Sequence, residues 1–406
     1  MVAERTTREN RLVTPTFLIV WLVNFIQYLL FYLLVTTIAL YAVKEFAVGE
    51  AASGLAASSF VIGATVARVF CGYVTDVVGR RPVLVTASVL VAVACLLYLP
   101  VDDFALLVVV RALHGFAYAF ATTAVMAMAQ SVIPASRRAE GTGYFALSST
   151  LATAVGPALG LFLVESFDYR TLFLVTFATS VLALAAALVL RTPELRQPVS
   201  RFNLADVAHP AVIPIGVFMM LIGLCYAGVI TYLNAYAVER DLTVGASLFF
   251  IGYAAVMLVM RFILGRVQDR RGDNVVIALG VASFVIALVT LSLATENWMV
   301  VTAGMLTGLG YGTLMPACQV ITVRLVEPER MGTGISTMFL FMDLGLGIGP
   351  IFLGMLVAAT SYGTMYAFLA VICVLAGFLY VLVHGRHVSG SRLRSVDTGG
   401  AAQPRA

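Results

Sequence analysis

Twelve apolar stretches alternate with short charged segments along this chain of 406 residues. Their approximate limits are Phe17–Ala42, Ala51–Val74, Val83–Leu99, Phe104–Ser131, Gly141–Val164, Leu172–Leu190, Val212–Val238, Ser247–Val267, Val275–Leu293, Met299–Val323, Gly332–Ala358 and Thr364–Val383. About 20 apolar residues carry a helix across a bilayer. Backbone polar groups in hydrocarbon must be bonded within their own segment, so each stretch is predicted to be helical. The pattern predicts an all-α membrane protein of 12 transmembrane helices. Pro193, Pro198 and several polar residues interrupt it between the sixth and seventh stretches. Four regions follow: residues 1–190, a six-helix bundle; 191–210, a linker; 211–386, a second six-helix bundle; and 387–406, a Ser/Gly/Arg-rich tail expected to be disordered.

Composition agrees with this pattern. The chain is 61% hydrophobic and 11% charged, more apolar surface than a soluble interior of this size can hide. Charge then gives orientation. Of the 25 basic residues, nineteen fall on the tails and on the loops that share a side with the N-terminus, while Lys44, Arg170 and Arg240 lie on the other side. That other side is acidic, with Glu45, Glu50, Asp102, Asp103, Glu165, Asp168, Glu239, Asp241 and Glu296. The positive-inside rule places both termini in the cytoplasm, most simply at the plasma membrane. The net charge of +4 reflects this sidedness rather than affinity for nucleic acid. The first stretch is too long for a signal-peptide core and is expected to remain as helix 1. All five cysteines lie within stretches, which gives no sign of a disulfide or zinc site.

The chain also repeats itself. Arg68-x-x-x-Gly72-x-x-x-Asp76-x-x-Gly79 returns 193 residues later as Arg261-x-x-x-Gly265-x-x-x-Asp269-x-x-Gly272. Gly115 and Tyr118 map onto Gly308 and Tyr311, and Gly156-Pro157 onto Gly349-Pro350, at the same offset. A parallel repeat of this length in so apolar a chain implies two similar bundles in tandem, an architecture found mostly among transporters.

The segment Gly72-Tyr-Val-Thr-Asp76-Val-Val-Gly79-Arg80-Arg81-Pro82 resembles the loop between helices two and three of the major facilitator superfamily. Physically, Gly72 permits close helix approach, Gly79 a tight turn with positive φ, and Pro82 a first helical turn. Asp76 can accept hydrogen bonds from a helix N-terminus. The resemblance implies that this helix is the eleventh, beginning near Gly332, and that the contact holds the cytoplasmic side shut. In the second copy Asp273 stands where Arg80 stands in the first, which predicts weaker gating contacts there. Arg68 and Arg261 read as structural, reaching the cytoplasmic edge or pairing with Asp76 and Asp269.

Two further elements resemble the same superfamily. Arg111-Ala-Leu-His114-Gly115 matches its Arg-x-x-x-Gly element, and Gly156-Pro157-Ala-Leu-Gly160 its drug:proton antiporter element, although Ala152 and Leu161 replace two glycines of that pattern. Proline and glycine together imply bending at Gly156, Pro157 and Gly160 and, in helix eleven, at Gly349 and Pro350. Asn24-Phe-Ile-Gln27-Tyr28, Arg68 and Arg138-Ala-Glu140-Gly141 are also similar to exporters of arabinose-like sugars and metallophores.

Asp343 is the one acid placed in the middle of a stretch, and it reads as a proton carrier, with Arg111 as electrostatic partner and His114 as a further titratable group. Each also reads as a structural residue: Arg111 snorkelling outward, His114 packed, Asp343 hydrogen-bonded between helices. By the resemblance, helices 1, 4, 7 and 10 line a cavity. Its candidate lining is Asn24, Gln27, Tyr28, Tyr32, Tyr118, Tyr226, Tyr232, Asn234, Tyr311 and Gln319, with Met126, Met219 and Met315. No Walker loop, metal-ligand cluster or nucleophile elbow appears, so neither an enzyme nor a cofactor is expected. The expected function is proton-coupled efflux of a small organic solute by a monomer, with protons and the lipid bilayer as partners. Uptake of a sugar or organic anion by facilitation or symport, and a non-transporting membrane sensor, are the competing readings.

Overall fold

The computed structural model describes residues 12–191, 203 and 206–385. Most of the linker 191–210 and all of the tail 387–406 lie outside the described residues. Among those described, twelve long helices follow the twelve predicted stretches and no strand occurs. They are α1 (Pro15–Phe46), α2 (Glu50–Val78), α3 (Arg80–Leu97), α4 (Phe104–Val132), α5 (Arg138–Ser166) and α6 (Tyr169–Val189). After the linker come α7 (Ile213–Glu239), α8 (Thr243–Arg271), α9 (Asp273–Ser292), α10 (Asn297–Leu325), α11 (Met331–Ala359) and α12 (Tyr362–Tyr380).

Local chemistry sets the helix ends. Asp103, Asp168 and Ser361 each accept a hydrogen bond from a backbone N–H three residues on, at 3.2, 2.6 and 3.2 Å. Each satisfies one donor that the first helical turn leaves unpaired. A single residue joins α2 to α3 and α8 to α9. These residues are Gly79 and Gly272, with φ of 107° and 92°, a region that side chains rarely enter.

The apolar stripes divide between lipid and interior. On α12, Phe368, Val371, Leu375 and Phe378 are exposed at helical spacing, while Tyr366, Leu369, Cys373 and Ala376 are buried on the opposite side. Eleven of the twelve helices are long and apolar enough to cross a membrane by length and composition alone. The exception is α10, which packs on α8 and α9 and buries Gly304, Thr307, Gly308, Gly310, Gly312 and Thr313. Neighbouring helices cover most of it, so it can carry small and polar residues there.

The helix pairings recur at an offset of six. α2 packs on α4 as α8 packs on α10, and α1 on α5 as α7 on α11. α3 meets α4 and α6 as α9 meets α10 and α12. The close contacts recur too: a Cβ at Gly115 would strike the Phe60 carbonyl, and one at Gly308 the Tyr253 carbonyl, 193 residues on in both members. Between the two sets, α2 packs on α11 and α5 on α8. These two crossings position everything described next.

Candidate functional site

The two crossings are latched at one end, where the arginine-rich connections cluster. Asp76, at the close of α2, is buried and accepts from the backbone N–H groups of Gly332 and Thr333, both at 2.7 Å. The Thr333 hydroxyl adds a third bond at 2.7 Å. Asp269, at the close of α8, accepts from the N–H groups of Ala139 and Glu140 at 3.0 and 2.9 Å. Every member of the second set lies 193 residues from its counterpart in the first. In both, a carboxylate meets the free N–H groups and positive dipole end of a helix. Glycine permits the approach: a Cβ at Gly72 would lie 2.7 Å from Thr333 Cα, and one at Gly265 would lie 2.7 Å from Glu140 Cα.

At its carboxylate the second latch is the barer one, with two longer backbone bonds and no hydroxyl among the described residues, but ion pairs surround it. Arg324 bridges Asp269 at 3.2 Å and Asp273 at 2.8 Å, so the Asp273 that departs from the first copy gains a partner of its own. Gln268 donates to Asp273 at 2.9 Å. Glu140 in turn holds Arg137 at 2.8 Å and Arg266 at 2.7 Å. In the first copy Arg80 is buried and donates to the carbonyls of Ala127 and Pro328, and Arg81 donates to the carbonyls of Leu188 and Leu190, capping the end of α6.

Deeper along the same crossings sit the two arginines of the repeat. Arg68 does not pair with Asp76, whose oxygens are taken by α11. It reaches Asp343 on α11, Nε to Oδ2 at 3.3 Å. Its Nη1 donates to the Ala119 carbonyl at 3.0 Å and to Thr123 Oγ1 at 2.7 Å, and its guanidinium lies 4.5 Å from the centre of the Phe339 ring. Asp343 is therefore half of an ion pair within the span. Arg261 likewise does not pair with Asp269. Its Nε faces Thr150 Oγ1 at 3.4 Å, and its Nη1 has no hydrogen-bond partner among the described residues.

Two clefts open beside Arg261. One has a cavity volume of about 20 Å³ and is lined by Asn24, Tyr28, Ser149, Arg261, Gln319 and Phe339, among others. The other, also about 20 Å³, shares Arg261 and Pro316 and adds Gly143, Gly265, Gln268 and Thr313. Of the expected lining, Asn24, Tyr28, Gln319, Met126 and Met315 thus face a cleft directly. Asn24 also donates to Ser148 at 2.7 Å. Tyr118 packs edge-on against Tyr28, with centroids 5.9 Å apart. Tyr226 stacks on Tyr311 at 3.7 Å, and its hydroxyl meets that of Tyr253 at 3.4 Å. Tyr32 borders Gly156, and Gln27 is fully buried with neither side-chain polar atom hydrogen-bonded. Tyr232 instead donates to the Pro350 carbonyl at 2.6 Å, and Asn234 is exposed.

Arg111 and His114 form a separate cluster. Both are fully buried between α2, α3 and α4. Arg111 Nε donates to the Ala56 carbonyl at 3.4 Å, and its guanidinium lies 4.8 Å from the centre of the Phe60 ring. His114 Nδ1 shares a hydrogen bond with the Tyr98 hydroxyl at 3.1 Å. Thr123, which touches Arg68, lies twelve residues along α4 from Arg111, about 18 Å by helical rise. The structure therefore brings Asp343 together with Arg68 and not with Arg111. Pro157 and Pro350 lie inside unbroken helices, and Gly156, Gly160 and Gly349 sit where α1 and α7 approach α5 and α11.

Sequence reasoning did not single out Thr150, Thr333 or the Arg68–Asp343 pair. The repeat carried a signal for Thr150, since it lies 193 residues before Asp343.

Comparison with known proteins gives a consistent picture. The model of the Major Facilitator Superfamily matches residues 20–295 and 245–399. The multidrug resistance protein MdtG of Enterobacter lignolyticus is 27% identical over 408 residues, covering 95% of this chain and 93% of its own. An uncharacterized MFS-type transporter of Methanocaldococcus jannaschii is 21% identical over 379 residues, with 90% and 97% covered. The human organic anion transporter MFSD10 superposes with a TM-score of 0.78 at 16% identity, over 90% of this chain and all of that one. The proton:xylose symporter XylE superposes with a TM-score of 0.71 at 17% identity, over 91% and 95%.

Proposed function

We propose that this chain, which belongs to the Major Facilitator Superfamily, is a secondary transporter that exports a small organic solute by alternating access in exchange for protons. Residues 1–190 and 211–386 form its two six-helix bundles, 191–210 joins them, and the latched, basic end faces the cytoplasm, as do both termini.

One observation carries this reading. Two latches, Asp76 on the α11 N-terminus and Asp269 on the α5 N-terminus, are related by the repeat and lie at the same end. Every hydrogen bond and ion pair described above between α2 and α11, or between α5 and α8, falls in the half of those helices nearest that end. Two halves joined by symmetric contacts at one end, with clefts beyond, have the parts needed to rock about a central site. The Arg68–Asp343 pair supplies the coupling element: protonation of Asp343 removes its charge and frees Arg68. The relatives named for multidrug resistance support the outward direction.

Everted membrane vesicles test this reading. With an acid interior established, addition of a transported solute is expected to release protons, read with a pH-sensitive dye. Counterflow that persists at full rate with no proton movement would replace antiport with facilitation. A ligand that binds without crossing would point to a sensor.

A further inference from the structure

We infer that Arg261 binds the anionic group of the transported solute, so that the solutes are small amphipathic organic anions. The inference rests on the transport reading above and adds the substrate class.

It begins with a broken symmetry. Arg68 and Arg261 occupy equivalent places, and so do Asp343 and Thr150, each pair 193 residues apart. The contacts are equivalent as well: Nε to carboxylate at 3.3 Å in one half, Nε to hydroxyl at 3.4 Å in the other. One arginine is neutralised within the protein. The other meets a threonine, which offers an acceptor oxygen but no charge.

Among the described residues no acid compensates Arg261. On α5, Glu140 is engaged by Arg137 and Arg266. On α9, Asp273 is engaged by Arg324, and Asp343 on α11 by Arg68. The groups within electrostatic reach of Arg261 are the hydroxyls of Tyr28, Tyr253 and Tyr311, which are neutral. Yet Arg261 is only 7% exposed. It lies eleven residues before Gly272, about 16 Å from the latched end by helical rise. An uncompensated charge buried at that depth is unfavourable, and such residues mark substrate paths.

The surroundings fit the missing partner. Arg261 lines both clefts, each of about 20 Å³, room for a water while the latches are closed, so a solute's anionic group would reach it as the two halves part. Tyr28, Phe145, Phe339, Met126 and Met315 give the first an apolar, adaptable wall. A guanidinium fork matches carboxylate, sulfonate and phosphate oxygens two at a time. The free Nη1 leaves such a donor available.

The test uses the full-length protein in detergent. Unfolding is read with a thiol-reactive dye at the five buried cysteines. The probes are naphthalene-1-carboxylate, naphthalene-1-sulfonate and 1-naphthyl phosphate, against 1-naphthamide and 1-naphthylmethylammonium. At least one anion is expected to bind on the order of tenfold more tightly than the neutral and cationic probes, a preference of one charge-assisted contact. Arg261→Gln and Thr150→Asp are each expected to remove that preference. Thr150→Asp should melt, without ligand, no lower than the parent, because it recreates the Arg68–Asp343 arrangement. The inference is overturned if no anion is preferred, or if Thr150→Asp binds the anion as the parent does. It is also overturned if only phosphatidylglycerol doped into the micelles stabilises the parent in a Thr150→Asp-sensitive way, which would assign Arg261 to a lipid headgroup. Counterflow in proteoliposomes separates the two readings. Binding of the anion without its counterflow refutes transport and keeps the site. Counterflow of the neutral or cationic probe, untouched by Thr150→Asp, refutes the site and keeps transport.

Discussion

Thr333 grips Asp76 twice, through its backbone N–H and through its hydroxyl, both at 2.7 Å from the same carboxylate oxygen. The backbone bond does not depend on the side chain at 333 unless that is proline, so the hydroxyl can be removed on its own. A hydrogen bond to a charged group contributes about 1.5–3 kcal/mol. Thr333→Val therefore weakens the first latch and shifts the population toward separation at the basic end by roughly ten- to a hundredfold. Ser149 lines the cleft behind that latch, and the native cysteines are buried. In a Ser149→Cys background, labelling by a membrane-impermeant maleimide from the basic side should speed up when Thr333→Val is added. An unchanged labelling rate would remove the Asp76 contact from the gating scheme.

Glycines of the crossings differ in what surrounds them, and this gives a prediction of sign. A Cβ at Gly72 would lie 2.7 Å from Thr333 Cα and 2.9 Å from Ser336 Cβ. At Gly347, on α11, a Cβ would meet nothing within 4 Å. Gly72→Ala forces α2 and α11 apart, an overpacking that costs about 1–3 kcal/mol. Gly347→Ala replaces a flexible residue in a helix and is expected to gain about 0.5–1 kcal/mol. Melting curves of the two variants should therefore move in opposite directions from the parent. Equal shifts would mean that the α2–α11 approach is not a tight one.

His209 ties the end of the linker to α11 and makes stability depend on pH. Its N–H donates to Thr337 Oγ1 at 2.9 Å, and its ring lies 3.6 Å from Glu327. Burial, with Arg330 nearby, holds its pKa below the ordinary value of 6.5, and Glu327 opposes that shift only in part. A histidine with a depressed folded pKa binds fewer protons folded than unfolded. Stability then rises with pH, and is lost as pH falls through 6.5 toward the lower folded value. His209→Gln is expected to flatten the fall in melting temperature between pH 7 and pH 5. An identical slope in parent and variant would show that other groups set it.

The amino-acid pattern disclosed some levels of this structure and concealed others. Hydropathy reports a property of each segment by itself, so the twelve helices could be read directly. The latch aspartates were legible because glycine, aspartate and a tight turn lie within eleven residues of one another. Partners across the molecule were not. Asp76 is the nearest acid to Arg68 on its own helix, yet its oxygens are saturated by α11, and Arg68 finds Asp343, 275 residues away. Arg111 and Asp343 carry opposite charges, which suggests a pair, but they belong to different helix interfaces. Tyr232 and Asn234 lie on α7, no residue of which lines either of the two clefts. The offset of 193 was the one long-range signal, and carried through to residue 150 it exposes Arg261 as the unmatched one of the two repeat arginines.

The Arg68–Asp343 pair should behave as a unit whose halves are worse apart than absent. Its side chains are 5% and 16% exposed, so each charge depends on the other more than on water. Removing one partner of such a pair costs about 3–5 kcal/mol, because the remaining charge stays buried, whereas neutralising both is often close to neutral. Asp343→Asn and Arg68→Gln are each expected to lower the melting temperature markedly, and the double variant to recover most of the loss. That pattern is a coupling energy in a double-mutant cycle, and additivity of the two single effects would show that the residues do not depend on one another. The same cycle bears on mechanism. If Asp343 carries the proton, the double variant should still exchange solute in counterflow while moving no protons, since its scaffold is intact and its titrating group is gone. A double variant that folds, transports and still moves protons would place the carrier elsewhere, and the buried His114 would be the next residue to replace.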